Sequence, residues 1–186
     1  LAKMLGHPSS TTVRVAAVAV AELARRFRER WAVDGAIEAQ IGTSAPPSAV
    51  RALSCATVGA SEPEKVAIAE VLGMLNDPEA IAILSSLVAG PGPTASAAVA
   101  SLQRHGPRAD ESMLRLLRHG DSVRRAVVLP LVTARMGAVD DILLCLSDPD
   151  GSVRALAAEA LARVGASERQ SALFALLDDP NARVVH

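Results

Sequence analysis

Two of the four histidines (His105, His119), the two cysteines (Cys55, Cys145) and the carboxylate pairs Asp140-Asp141, Asp148/Asp150 and Asp178-Asp179 are side chains whose types and grouping first suggest metal binding, nucleophilic attack or proton transfer. Their spacing points elsewhere. His105 and His119 each follow an Arg and precede a Gly, the pattern of a helix end where a cation and a glycine cap are favourable. No Cys or carboxylate completes a zinc-ligand spacing around them. Cys55 and Cys145 sit among Ala and Leu at helical spacing and read as buried small apolar residues. A catalytic thiol needs a nearby His or a helix N-terminus, and the sequence places neither beside them. The Asp pairs fall at turns where helices begin, so capping explains them better than acid–base chemistry. There is no Gly-rich phosphate loop, Gly-x-Ser-x-Gly elbow or paired-His zinc motif. The expectation is a chain with no catalytic residue, metal ligand or cofactor.

The arginines are more suggestive. Arg14, Arg51, Arg124 and Arg154 each follow a Val, in Val13-Arg14, Val50-Arg51, Val123-Arg124 and Val153-Arg154. With Arg118 and Arg125 they form the set expected to meet a partner. Two roles are open to them: bidentate donors for a partner's acidic groups or phosphate, or partners of turn carboxylates and helix ends within the chain. Residues 104–135 carry a net +4 and residues 136–186 a net −4. Such opposed segments suit steering of a protein partner or head-to-tail self-association, and also suit ordinary solvated faces. Arg25-Arg26-Phe27-Arg28-Glu29-Arg30-Trp31 is the densest basic run. It reads as the C-terminal end of a long helix, where cations favour the dipole, rather than as a phosphate grip.

Composition bounds the class. Half of the 186 residues are apolar, 2% are aromatic and the formal net charge is −1. That much apolar material folds. The neutral balance and scarcity of aromatics disfavour nucleic acid as a partner. Two cysteines cannot make a disulfide scaffold and fit a reducing, cytoplasmic setting. The most apolar window, Val13 to Ala24, is interrupted by Arg14 and Glu22 and is too short to span a bilayer. The chain begins at Leu1 and ends in mid-pattern, so it reads as a segment of something longer, and a leader upstream remains compatible with it.

Elements must hold these residues, and the punctuation defines them. Pro and Gly gather between apolar stretches of about a dozen residues, at Pro46-Pro47, Pro63, Asp77-Pro78, Gly90 to Pro93, Gly106-Pro107, Gly120, Asp148-Pro149 and Asp179-Pro180. Val153, Leu156, Ala157, Ala160, Leu161 and Val164 make one apolar stripe of helical period. Leu143, Leu144 and Leu146, and Leu173, Leu176 and Leu177, continue the theme. No run alternates with period two, so the expected class is all-α. The segment Asp148 to Arg154 is echoed 31 residues later at Asp179 and 30 residues earlier at Gly120 to Arg124. A unit of that size cannot bury its apolar face alone, so neighbouring units must stack into a solenoid.

The string from Leu146 to Gly165 resembles a HEAT-like repeat of the type found in phycobilisome bilin lyases. Leu72 to Ile81 is similar to that family's junction between one repeat and the next. The likeness is clearest over 65–186 and less regular over 1–64, where helix order between 31 and 64 is undecided. It implies one domain over 1–186, a right-handed α-α superhelix of about five to six two-helix repeats. It also implies a ladder in which a turn Asp pairs with an Arg six residues on, intact only at Asp148 and Arg154. Arg118 stands in the Asp slot ahead of Arg124, His7 lies near the slot before Arg14, Val185 replaces the last Arg, and the 94–105 unit lacks the Val-Arg pair.

The function so implied is a non-enzymatic scaffold that holds a protein partner on a concave surface. Exposed solenoid ends could associate with one another. Two other readings come with the resemblance: a bilin-lyase-like subunit acting on a tetrapyrrole, and a nucleic-acid binder like the HEAT-like DNA glycosylases.

Overall fold

A computed structural model describes residues 1–31, 35–88 and 92–165. The Leu173 to Leu177 stripe, the Asp178-Asp179 pair, Asp179-Pro180 and Val185 lie outside them. All regular structure among the described residues is helical: ten α-helices, three short 3-10 segments and no strand. The all-α expectation holds.

Local chemistry sets most boundaries. Helix α1 (Ser10–Trp31) buries Val13, Ala16, Ala17, Val20, Ala21 and Ala24, a 3–4 spaced stripe, and ends with Arg28 and Arg30 in its last turn. Helix α4 (Glu62–Leu72) starts with a capping box in which the Ser61 amide donates to Glu64 Oε2 at 2.7 Å. Asp77 caps α5 (Pro78–Leu87) by accepting from the Glu79 amide at 2.8 Å. Asp121 does the same for α8 (Ser122–Val128), and Asp150 for α10 (Gly151–Val164). Proline opens α6 (Pro93–Arg104) and α7 (Pro107–His119), where its missing N–H is harmless. Gly165 closes α10 at φ +77°, a left-handed conformation that favours glycine. Helices α2 (Ala36–Ser44), α3 (Ala49–Ala56) and α9 (Val139–Cys145) complete the set.

Contacts divide the described residues into two compact units, one of Leu1–Val88 with Gly92–Arg108, the other running from Ala109 onward. In the first, α1 packs on α4 and α4 on α6, while α3 packs on α1, α4 and α5. Hydrogen bonds show that α4 and α6 run parallel. Near their starts the Thr94 amide donates to Glu62 Oε1 at 3.1 Å, and near their ends Arg104 donates to the Glu70 carbonyl at 3.2 Å. Alanines at these contacts, among them Ala17, Ala69 and Ala98, let the helices approach closely. Leu53, Ile68, Leu72, Leu84 and Leu102 supply the bulk of the core, each worth about 1.5–3 kcal/mol of burial. The undecided order between 31 and 64 resolves into α2, which packs against α1 and the 3-10 segment Ala2–Gly6, followed by α3.

In the second unit α10 packs on α9, on α8 and on the 3-10 segment Leu129–Leu131 that Pro130 forces at the end of α8. The predicted stripe is inside: Val153, Ala157, Ala160 and Leu161 are buried, and Leu156 and Val164 are half-buried. Leu144, expected with the apolar set, is 70% exposed because α9 turns Ile142 and Cys145 inward instead.

Candidate interaction surface

Six arginines were expected to meet a partner, and five of them are held by their own chain. Arg14 in α1 places Nε 3.6 Å from Glu64 Oε1 and donates to the Val58 carbonyl at 3.4 Å. Arg118 pairs with Asp141 at 2.8 Å, and Arg124 with Asp121 at 3.3 Å. Arg125 meets Asp148 at 2.6 Å and also donates to the Leu117 carbonyl. Arg154 donates to the main-chain carbonyls of Asp148 and Pro149.

The expected ladder therefore takes another form. Its carboxylate, Asp148, turns to Arg125 on α8 rather than standing opposite the Arg154 guanidinium six residues on, and Arg154 takes the Asp148 main chain. Asp148 also accepts from the Ser122 hydroxyl at 2.7 Å and from the Asp150 amide at 2.9 Å. Burial alone would raise its pKa. The Asp150 amide, Arg125 and Ser122 together outweigh that and hold the carboxyl below the ordinary aspartate value of 3.8. The opposed charge segments meet each other here: Arg118 and Arg125 come from the basic stretch, Asp141 and Asp148 from the acidic one.

Arg51 is different. It lies on α3, exposed, with no hydrogen bond or ion pair among the described residues. It does not share a row with Arg14, since α3 packs beside α1 rather than continuing the α1, α4, α6 series. Arg51 lines a cleft of about 240 Å³ with His7, Ser10, Ser48 and Cys55. Cys55 is exposed, contrary to the buried position expected of it, because α3 turns Ala49, Val50, Leu53 and Ala56 inward. The signal was present in the sequence: Arg51 and Cys55, four apart, share one helix face, and that face lies off the Val50–Leu53 stripe.

The other chemistry-bearing residues behave structurally. Cys145 is buried, donates to the Asp141 carbonyl, and burial pushes its thiol up to about 11. His105 caps α6 with its Nε2 buried and unpartnered among the described residues. Burial, countered by a hydrogen bond to the Leu72 main chain and reinforced by Arg104 and Arg108, lowers its pKa. Among the described residues no three His, Cys, Asp or Glu groups converge on a metal position. Arg25 and Arg26 pair with Glu22, Arg25 also with Glu29, and Arg28 with Glu38, so the basic run is a self-paired helix end. An apolar groove of about 320 Å³, lined by Leu1, Met4, Val15 and Ala16, runs along the outer face of α1, where Val15 is 65% exposed. No described helix is long and apolar enough to cross a membrane.

No family model matches the chain, and no curated protein matches it. Among solved structures, the crystal structure of an engineered protein is 17% identical and aligns over 98% of this chain and 90% of its own, with a TM-score of 0.45. A likeness at that level carries no argument about fold or activity.

Proposed function

We propose that the chain is a non-enzymatic binding module, a right-handed solenoid of stacked HEAT-like repeats that holds a protein partner on its concave surface. The observation that carries this reading is a repeated hydrogen bond. Arg104 reaches the Glu70 carbonyl 34 residues back, and Arg163 reaches the carbonyls of Leu129, Pro130 and Val132, 34, 33 and 31 residues back. In each unit an arginine near the end of one helix reaches carbonyls near the end of a neighbouring helix. These links of 31–34 residues are close to the spacing of about 30 residues read from the sequence, and they support nearest-neighbour stacking. Such an architecture serves binding through extended surface and needs no reactive constellation. A cytoplasmic location is part of the proposal and rests on the low cysteine count.

The test is affinity capture followed by titration of the purified captured protein. Saturable binding that a charge reversal at an exposed position, Arg51→Glu or Glu79→Arg, weakens at least tenfold supports the module. Turnover or a shifted absorbance with an added bilin would replace it with the lyase reading. Retention on duplex DNA that falls steeply with salt would replace it with the nucleic-acid reading.

A further inference from the structure

Helix α1 buries one face and leaves the opposite one bare. Val15, Val18 and Leu23 on that outer face, with Met4 of the 3-10 segment beside it, are 41–65% exposed. They are half of the eight large apolar side chains exposed among the described residues, so this exposure is concentrated in one patch rather than scattered. The patch has relief. Thr12, Ala16, Ala19 and Leu23 follow one another at steps of 4, 3 and 4 residues, the spacing of a helix–helix seam. The first three line the groove of about 320 Å³ that Met4 and Val15 wall, and Leu23 stands beyond its end. Hole and knob thus share one seam, a turn to either side of Ala19.

We infer that the outer face of α1 docks the same face of a second copy, with the two helices antiparallel and crossing at Ala19. A two-fold axis there sets Leu23 of each copy against Val15 and Ala16 of the other, so each knob enters the other's groove. Alanine at the crossing lets the helix axes approach to about 8 Å. Charge selects the direction. From Ser10 to Ala21 the helix carries only Arg14, which is turned to Glu64, whereas residues 22–31 carry four Arg against two Glu. Parallel pairing would stack the two basic ends, and antiparallel pairing lays each along the nearly uncharged half of the other. Area sets the strength. A helix of 22 residues offers a strip about 33 Å long and about 10 Å wide. That is below the roughly 800 Å² per partner of a standard interface, so the dimer is weak, with a dissociation constant above about 10 μM. The association uses α1 alone and does not rest on the binding reading above.

The experiment is sedimentation equilibrium from about 10 μM to 1 mM, where wild type should show a monomer–dimer equilibrium in the range expected of a small interface. Val15→Asp and Leu23→Asp should each weaken it at least tenfold. Leu144→Asp, exposed but on α9, should leave it unchanged. All three positions are exposed, and circular dichroism on each variant confirms that the fold is kept. Cysteine cross-linking in a Cys55→Ser background then reads the geometry. Ala19→Cys, on the axis, should link to its own copy on mild oxidation. Leu23→Cys should not, because the two copies of that position lie about 12 Å apart along the helices, beyond disulfide reach. Val15→Cys mixed with Leu23→Cys should give the crossed dimer. A monomer at every concentration would overturn the proposal, as would equal weakening by Leu144→Asp and Leu23→Asp, or self-linking at Leu23→Cys in place of Ala19→Cys.

Discussion

The carboxylate of Asp148 and the guanidinium of Arg125 meet at 2.6 Å, with the Asp148 side chain wholly out of solvent and that of Arg125 about a quarter exposed. The pair ties the turn before α10 to α8. Its two halves are not equivalent, because only the arginine can turn toward water when its partner is gone.

Removing the arginine should therefore hurt more than removing the acid. Arg125→Ala strands a buried carboxylate with only Ser122 and the Asp150 amide, and should destabilise by about 3–4 kcal/mol. Asp148→Ala should lose about 2 kcal/mol. Because the Asp148 pKa is lowered by folding, its contribution is present above its unfolded value near 3.8 and is lost as pH falls through the lower folded value. Urea melts at pH 7 and pH 3 check both points: the gap between wild type and Asp148→Ala should narrow at the lower pH.

Arg104 and Arg163 each reach back more than thirty residues to carbonyls near the end of a neighbouring helix, and Arg104 also donates to the Ser101 hydroxyl on its own helix at 2.7 Å. Alanine at either position should cost about 1 kcal/mol by removing hydrogen bonds to carbonyls near a helix end. Lysine should recover part of the loss at both positions, since Arg104 and Arg163 each reach these carbonyls through a single nitrogen, Nη2 and Nη1 respectively. Thermal melts of the four single variants test the ordering.

His105 gives the first unit a pH response. Its folded pKa lies below the ordinary 6.5, chiefly from burial. The folded form thus resists protonation that the unfolded chain accepts. Its contribution is in place above pH 6.5 and is lost as pH falls from there through the lower folded value. The groups facing it, Arg104 and Arg108, are cations and share this direction. Between pH 7.5 and 5.5 the melting temperature of wild type should fall more than that of His105→Gln, and equal slopes would assign the response to other groups.

How far these relationships were legible depends on their range along the chain. Asp77, Asp121 and Asp150 cap helices two or three residues away, and Pro78, Pro93 and Pro107 open them, so sequence alone placed those boundaries. The Val153 to Leu161 stripe was legible because a long helix repeats its pattern often enough to fix which face is inside. Helix α3, with eight residues, offers barely two turns, so Cys55 was assigned to the wrong face. Partner choice was least accessible. Arg124 and Arg125 are adjacent in sequence, and only the packing of α8 against the turn before α10 decides that Arg125 receives Asp148. Arg51 emerged as distinct only because the acceptors of its five counterparts became visible.

Gly42 and Gly137 make a last, contrasting pair. A Cβ on Gly42, in α2, would lie 2.7 Å from the main-chain carbonyl oxygen of Met74, which cannot rotate aside. Alanine there gains about 1 kcal/mol of helix propensity against an overpacking cost of about 1–3 kcal/mol, so Gly42→Ala should be neutral at best and Gly42→Asn clearly destabilising. Gly137 has open space around it but sits at φ +61°, where the penalty is conformational and asparagine is tolerated better than alanine. Gly137→Ala should lose about 1 kcal/mol and Gly137→Asn less. The order of alanine and asparagine should thus invert between the two sites. Melting the four variants side by side tests this, and the same order at both would mean that contact with Met74 does not limit α2.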